Sequence, residues 1–333
     1  MTQYRITLRP SGLSFSADAD RDLLTAAVKA GIAVPSACRN GVCELCEAML
    51  IAGQVRNTRN QLMIAEAGRL MLCRSQAVSP TELEIEAVMA AGENAPRKFQ
   101  ANVLEVQSIS HDVYRVELQL PYRRELSFHA GQYLSVVLPG ADPCYFSIAS
   151  SPLVSALELH IQATPDWVSA QRVIDAIKSG DAVTLELPHG QACLAAAPDK
   201  PLLLVAAGTG FAQMKSMVDY LRTTSFSESV QLFWGVRRQE DMYLRGLAQK
   251  WQEEWSQFTF VPVIGDDEDN DWGGHHDQLV RAVMTADVDW RNVQVMASGS
   301  PAMVYTLMDA LVEAGLPVDD FYSDVLEYAP RQP

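Results

Sequence analysis

The sequence predicts a multidomain protein of α+β and α/β class: a small strand-rich unit, an antiparallel β-barrel and a Rossmann-like parallel sheet. Three observations predict it. The chain has 333 residues, enough for two or three domains at roughly 100–200 residues each. From Phe99 short alternating strands succeed one another, punctuated by Gly, Pro and Asp, which is the texture of a closed antiparallel barrel. From Pro201 strands alternate with helices, and that βαβα rhythm requires a parallel sheet covered on both faces.

The elements follow in order. Tyr4–Leu8 and Leu13–Phe15 form a hairpin around Pro10-Ser11-Gly12. Asp22 caps a helix from Leu23 to Ala30, whose apolar positions Leu24, Ala27 and Val28 recur at helical spacing and which Gly31 ends. Ala48–Ile51 and Leu83–Val88 read as strands, giving a first domain over 1–88. Residues 89–98 are small and breaker-rich, a linker. The barrel, 99–198, takes strands Ala101–Ile109, Val113–Leu120, Gln132–Leu138, Tyr145–Ala149, Leu157–Gln162 and Ala182–Leu187, with one helix from Ser169 to Lys178. The last domain, 199–333, has strands Leu202–Ala206, Val230–Gly235, Phe258–Val263 and Val293–Ala297. Its helices are Ala212–Arg222, Tyr243–Trp255, Gln278–Thr285 and Pro301–Ala314. The acidic run from Gly265 to Asp271 reads as a solvated loop.

Composition narrows the function. A net charge of −15 argues against nucleic acid, whose phosphates want clustered Lys and Arg. The excess is uneven: residues 1–90 carry nine basic and nine acidic side chains, so the whole of it lies beyond them. No run approaches the roughly 18–20 apolar residues of a membrane span. The opening MTQYRITLRP lacks an apolar secretory core, so a cytoplasmic protein with no membrane partner is expected.

Four of the six cysteines are clustered: Cys38-x4-Cys43-x2-Cys46, with Cys73 following 27 residues later. A cytosolic chain rarely holds structural disulfides. The spacing is the plant-type [2Fe–2S] arrangement, in which three thiolates on one loop and a fourth from a distant segment close the coordination. Gly41 lets that loop bend and turn N–H groups toward sulfur. A four-cysteine zinc site and a CxxC redox pair are the competing readings. Zinc sites usually pair two CxxC knuckles, and only one is present. A redox dithiol belongs near a βαβ unit, which this region lacks.

On these residues, 1–88 resemble a plant-type ferredoxin, which implies a β-grasp fold and Cys38, Cys43, Cys46 and Cys73 as metal ligands. Glu44 stands where that family often has glycine, and it is expected either to lower the cluster potential, to mark the docking face, or simply to meet solvent. In the barrel, Pro143-Cys144-Tyr145-Phe146-Ser147-Ile148-Ala149-Ser150 resembles the Arg-x-Tyr-Ser signature of the ferredoxin–NADP reductase superfamily. The resemblance implies FAD, with Tyr145, Phe146 and Ser147 in its pocket, Phe146 against the isoalloxazine ring and Ser147 near N5. Cys144 replaces the Arg that meets a flavin phosphate, and a thiol offers neither charge nor bidentate donors. Glu158-Leu159-His160-Ile161-Gln162 also lacks the usual basic residue. His160 is then either a substitute at the adenylate end or a buried structural histidine. Pro188-His189-Gly190-Gln191-Ala192 resembles a loop of the flavin reductase branch.

The last domain opens on Gly208-Thr209-Gly210-Phe211-Ala212, a glycine turn between an apolar strand and a helix. Such a turn lets backbone N–H groups approach a dinucleotide pyrophosphate. It resembles the superfamily's Gly-Thr-Gly-x-Ala-Pro motif, with Gln213 where Pro is common. Phe233-Trp234-Gly235-Val236-Arg237, followed by Asp241 and Tyr243, matches further. Ser298-Gly299, in Met296 to Met303, resembles the Cys-Gly segment beside the nicotinamide, with Ser298 in place of Cys and a slower hydride transfer expected from it. Phe321-Tyr322-Ser323-Asp324 matches the closing strand, and Tyr328 is placed to cover part of the flavin. Arg237 and Arg238 are cations for a 2′-phosphate, but the acidic surface favours NADH, with NADPH as the alternative.

The whole chain thus resembles electron-transfer reductases of bacterial oxygenases and the CDP-6-deoxy-glucoseen reductase family. The resemblance implies electron flow from NADH to FAD to [2Fe–2S] to a separate acceptor protein, an oxygenase or a deoxysugar dehydratase. A flavin belongs in the middle because it takes two electrons together and passes them singly. Site residues position cofactors, and Ser147 and Ser298 are the catalytic candidates. Two alternatives stay open: a direct flavin or ferric reductase with a non-essential ferredoxin domain, and a non-enzymatic metal-binding interaction module.

Overall fold

The computed structural model describes residues 2–30, 32, 34, 41–42, 46–85, 96–119, 128–180, 183–224, 226–265 and 272–331, with backbone alone at 272–276. The chain divides into two compact units, Met1–Ala95 and Pro96–Pro333.

In the first unit, β1 (Gln3–Arg9) pairs antiparallel with β2 (Ser14–Asp18) around Gly12, whose φ of 74° suits glycine in the turn. Helix α1 (Leu23–Lys29) starts where Asp22 Oδ1 accepts the Thr25 N–H at 2.8 Å, satisfying one orphan donor of the first turn. Strands β3 (Glu47–Ala52), β4 (Val55–Asn57), β5 (Met63–Ile64), β6 (Gly68–Met71), β7 (Ser75–Ala77) and β8 (Thr81–Glu84) follow. The main sheet runs β2-β1-β8-β3-β6, with β1 and β8 parallel, and a small sheet β5-β4-β7 lies apart. Ile6 and Leu8 from β1 pack with Leu23, Leu24 and Ala27 of α1 and with Leu83 of β8. Val28 is exposed: the helix buries the 23–24–26–27 stripe, so the face was expected one residue too far round. The fourth expected strand, Leu83–Val88, is β8, Thr81–Glu84. Gly31 and Val88 lie outside the described residues.

The second unit opens with a six-stranded antiparallel sheet. Its strands are β9 (Arg97–Ser108), β10 (Val113–Gln119), β11 (Tyr133–Val137), β12 (Cys144–Ser147), β13 (Ala156–Gln162) and β14 (Val183–His189), with α2 (Val168–Lys178) between the last two. β9 begins inside the segment expected to be linker. The order β12-β11-β14-β9-β10-β13 is an open ladder that curls until its edges meet. They join through the Ile148–Leu159 bridge and the Ala149 N–H bonded to Glu158 O at 2.7 Å. The result is a near-closed barrel. Leu134, Val136, Leu159, Ile161 and Leu185 fill it, and α2 caps one mouth with Val173, Ile174 and Ile177.

The parallel sheet follows: β15 (Leu202–Ala207), α3 (Phe211–Leu221), β16 (Val230–Val236), α4 (Arg245–Glu254), β17 (Phe258–Ile264), α5 (Trp272–Val283), β18 (Gln294–Ser298), α6 (Pro301–Glu313), β19 (Phe321–Tyr322) and α7 (Val325–Tyr328). The order is β17-β16-β15-β18-β19, every pair parallel. The β15 side chains alternate between two cores, as period two demands. Leu202, Leu204 and Ala206 meet Phe211, Met214 and Trp251 on the α3–α4 face, whereas Leu203 and Val205 meet Leu279, Met303 and Leu307 on the α5–α6 face. Trp234 and Trp251 are fully buried, each worth several kcal/mol of transfer free energy at about 25 cal/mol per Å². This packing holds the β15–α3 turn and the end of β18 side by side. Residues 266–271 of the acidic run lie outside the described residues.

Candidate functional site

The glycine turn sits on that platform. Gly208 has φ 56°, and its carbonyl accepts a hydrogen bond from Trp234 Nε1 at 2.9 Å, which pins the turn to β16. Gly210 lies so close to the end of β18 that a Cβ there would be 2.9 Å from the Ser298 carbonyl carbon and 3.0 Å from its Oγ. Gly299 is packed in turn against Ala207, 3.0 Å from its own would-be Cβ. Gly208, Thr209, Gly210, Arg237, Ser298 and Gly299 line one cavity of about 1020 Å³. Phe211 does not join that wall. It is fully buried and stacks on Trp234 at 3.9 Å, so its role is core packing under the turn, a correction to the cofactor contact expected of it.

The barrel supplies the opposite wall. On β12 alternation turns Phe146 inward, opposite Leu134 and only 6% exposed, and Tyr145 outward, 57% exposed. The outward face is an aromatic cluster: Tyr145 meets Tyr133 edge-on at 5.9 Å, and Tyr133 stacks on His189 at 5.4 Å. These rings, with Ser147, Asp324 and the exposed Tyr328, line a second cavity of about 550 Å³. Tyr145, Phe146, Ser147, Ser298 and Gly299 belong to both cavities. The two serines singled out from the sequence therefore stand on one shared wall.

His160 is almost fully buried and hydrogen-bonds to Glu158 at 2.7 Å and to the Tyr243 hydroxyl at 3.1 Å. Lys215 lies 3.4 Å from the same carboxylate and Arg115 3.5 Å. Burial raises the Glu158 pKa, but the His160 hydrogen bond and the Lys215 and Arg115 charges outweigh it and hold the carboxyl at about 2. Burial lowers His160. Of its two readings, the structural one describes these contacts. At the two positions where a basic residue is expected, Cys144 Sγ reaches the Asp142 carbonyl at 4.0 Å, and the Gln162 amide is spent on Asp112 at 2.6 Å.

Sequence reasoning passed over His189, Tyr133 and Asp324 as site residues. His189 ends a strand, and only the aromatic repeat across Tyr133 and Tyr145 hints at it. Asp324 was visible in the closing motif, but its burial pushes its pKa up to about 7 through contacts no motif encodes.

In the first unit, Cys46 and Cys73 are buried. Cys73 lies in a 3-10 turn, Leu72–Arg74, and the Leu72 N–H donates to Cys46 O at 3.0 Å, tying the two segments together. Gly41 has φ 79°, and a Cβ there would sit 2.9 Å from Arg74 Cγ. The bend expected at Gly41 is present. Cys38, Cys43 and Glu44 lie outside the described residues.

Three sequence families match consecutive stretches of the chain. They are the 2Fe-2S iron-sulfur cluster binding domain over residues 6–78, the oxidoreductase FAD-binding domain over 100–193 and the oxidoreductase NAD-binding domain over 204–308. Reductase component 2 of terephthalate 1,2-dioxygenase from Comamonas sp is 30% identical over 98% of both chains. The chain belongs to this family of iron–sulfur flavoprotein reductases. The CDP-6-deoxy-L-threo-D-glycero-4-hexulose-3-dehydrase reductase of Yersinia pestis is 28% identical, over 96% of this chain and 97% of its own. Among solved structures, an Amycolatopsis cytochrome P450 reductase aligns with a TM-score of 0.61 at 26% identity, covering 96% of this chain and 98% of its own.

This reductase is an NAD(P)H-dependent oxidoreductase that uses FAD, a [2Fe–2S] cluster and NAD(H), and carries electrons from NADH through FAD to the cluster and on to a partner. Its residues fit those groups. The second cavity has aromatic walls, a buried His189 Nε2 with no hydrogen-bond partner among the described residues, and a Gly190 whose Cβ would stand 2.6 Å from Asp324 and 2.8 Å from Tyr133. Flat apolar walls with one unspent polar atom suit an isoalloxazine ring. Buried thiols at 46 and 73, on segments tied together by the Leu72 N–H to Cys46 O hydrogen bond, suit an iron–sulfur ligand set. Among the described residues no helix is long and apolar enough to cross a membrane.

Proposed function

We propose that the larger cavity takes NADH, that the smaller takes the flavin ring, and that the acceptor is a separate oxygenase or dehydratase component. The observation that carries this is the shared wall: Ser147 and Ser298 face both cavities. Bound flavin supplies a two-electron acceptor that gives electrons up one at a time. The chain's own part is placement. Ser147 offers a hydroxyl beside the ring, Ser298 and Gly299 set the nicotinamide edge, and the 208–210 turn with Arg237 holds the pyrophosphate end. Tyr328 and Tyr145 shield the ring. Cys38, Cys43, Cys46 and Cys73 hold the cluster. The reading keeps the domain limits 1–88, 99–198 and 199–333, NADH over NADPH, and a cytoplasmic protein with neither nucleic acid nor membrane as partner. It is tested with Cys73→Ser: NADH-driven cytochrome c reduction is lost while NADH-to-dye reduction persists. Loss of both activities in a folded variant sinks it.

One observation favours a second reading, a reductase of exchangeable free flavin. The barrel offers no cation at 144 or 162, and Gln162 is held by Asp112. On that reading activity survives Cys73→Ser and depends on added flavin.

A further inference from the structure

Helix α3 meets the barrel through polar groups. Ser216 Oγ donates to Ser150 O at 2.7 Å, and the Lys215 ammonium, 11% exposed, donates to Ala149 O at 3.3 Å. Gln213, 2% exposed, is the most connected. Its Nε2 donates to Gly131 O at 2.9 Å, to Ala192 O at 3.0 Å and to Asp324 Oδ2 at 3.0 Å. Two of these acceptors are backbone carbonyls, which cannot donate, so the amide must present its nitrogen to all three. Asp324 is held from its other side too, Oδ1 accepting the Ala192 N–H at 3.2 Å. The carboxyl lines the smaller cavity.

An amide nitrogen has two hydrogens, and here three oxygens claim them. An ionised Asp324 takes the stronger share, because charge-assisted hydrogen bonds exceed neutral ones. A protonated Asp324 releases that share to Gly131 O and Ala192 O. The charge of one carboxyl and the seating of two barrel carbonyls are therefore linked through one side chain.

We propose that Gln213 is a positioning residue that sets the charge state of Asp324 in the flavin cavity and ties that charge to the seam between α3 and the barrel. The proposal rests on reading the smaller cavity as the flavin site. A proline, which the resembling motif carries at this position, has no such donor, so the device belongs to the Gln213 chain. Burial pushes Asp324 up to about 7 and Glu327 adds to it, whereas hydrogen bonds from Ala192, Gln213 and Gln191 pull it down. The groups facing it are Glu327 and Tyr328 on α7, Tyr133 on β11 and Cys193 after β14, with His189 lining the same cavity. Tyr133 and Cys193 are pushed up to about 12, by burial foremost, and Tyr328 is raised by burial, so these three stay neutral at pH 7.

The test is a pH titration, from 5 to 9, of the visible spectrum of bound flavin in the full-length loaded protein. The parent, Gln213→Met, Gln213→Pro and Asp324→Asn are compared. Methionine keeps the side-chain length without donors, and proline is tolerated in a first helical turn. Near-UV circular dichroism checks folding. The parent is expected to show a transition near pH 7, absent in Asp324→Asn. Both Gln213 variants are expected to move it up by about one unit, a tenfold change in proton affinity. If Asp324→Asn abolishes the transition but both Gln213 variants keep the parent midpoint, the role given to Gln213 is wrong and the cavity reading stands. If Asp324→Asn leaves the spectrum and its pH dependence unchanged, the flavin is not beside Asp324 and both fall.

Discussion

Gly210→Ala isolates the nucleotide turn. The added Cβ would overlap the Ser298 carbonyl oxygen and stand 2.9 Å from its carbon and 3.0 Å from Oγ, where comfortable contacts begin at about 3.5 Å. The obstacle is backbone, and it cannot swing away: Ser298 is paired with Ala206 in the parallel ladder. Gly210 needs no special φ, so the effect is purely steric. Relief requires the turn and the β18 end to separate by about 0.5–1 Å, straining the Trp234–Gly208 hydrogen bond. Misplacement by about 1 Å costs roughly 100-fold in a positioned reaction, or about 2.7 kcal/mol. Steady-state dye reduction with varied NADH should show kcat/KM down about 100-fold with flavin and iron content unchanged. Gly299→Ala should cost less, because its overlap is with the flexible end of Met303. Gly246→Ala, with nothing within 4 Å of the new methyl, should leave kinetics alone. A Gly210→Ala protein within twofold of the parent would refute the steric reasoning.

The charge cluster and the flavin cavity give three more expectations. Glu158 has its folded pKa lowered from 4.5 to about 2, so its stabilisation is present above the unfolded value and lost as pH falls toward 2. Glu158→Gln should therefore destabilise the second unit by about 2–3 kcal/mol at pH 7 in urea unfolding, with the gap closing in acid; an unchanged midpoint at pH 7 counts against it. Asp324 is the opposite case, its folded pKa raised from 3.8 to about 7. The native state holds the extra proton between those values, so flavin-free protein should lose on the order of 4 kcal/mol as pH climbs through them. Asp324→Asn should flatten that slope, and an equally steep slope in the variant contradicts the assignment. His189→Ala removes the unspent buried nitrogen and should weaken flavin retention about tenfold on gel filtration; full retention would show that Nε2 does not reach the flavin.

Much of this was legible in the sequence, and the exceptions have physical causes. The α/β rhythm gave the long strands and helices of the last domain within a few residues, because β15 and its neighbours are apolar runs bounded by glycine and charge, except that α5 begins at Trp272, six residues before the expected Gln278. β4, β5 and β7 are two or three residues long, too short for any periodicity to register. Val28 was misassigned because a seven-residue helix leaves the width of its buried stripe undetermined until β2, β7 and the Leu72–Arg74 turn pack against it. The cofactor signatures in β12, the 208–210 turn and Ser298-Gly299 were readable as spacing. Which ring of Tyr145-Phe146 faces outward depended on register, since a shift of one residue exchanges the two faces. The Gln213–Asp324–Ala192 junction joins residues 111 and 132 positions apart in the chain, and Glu158–Lys215 joins a barrel strand to helix α3. Such pairings have no local pattern to leave.

The electron path itself is decided by anaerobic mixing of the fully loaded chain with one equivalent of NADH, followed by freeze-quench electron paramagnetic resonance and visible absorbance. The flavin band should bleach first and the reduced [2Fe–2S] signal should then grow, while flavin-depleted protein with an intact cluster should give no such signal. A cluster reduced just as fast without flavin, or one that stays oxidised beside fully bleached flavin, would contradict the path from NADH through FAD to iron and sulfur.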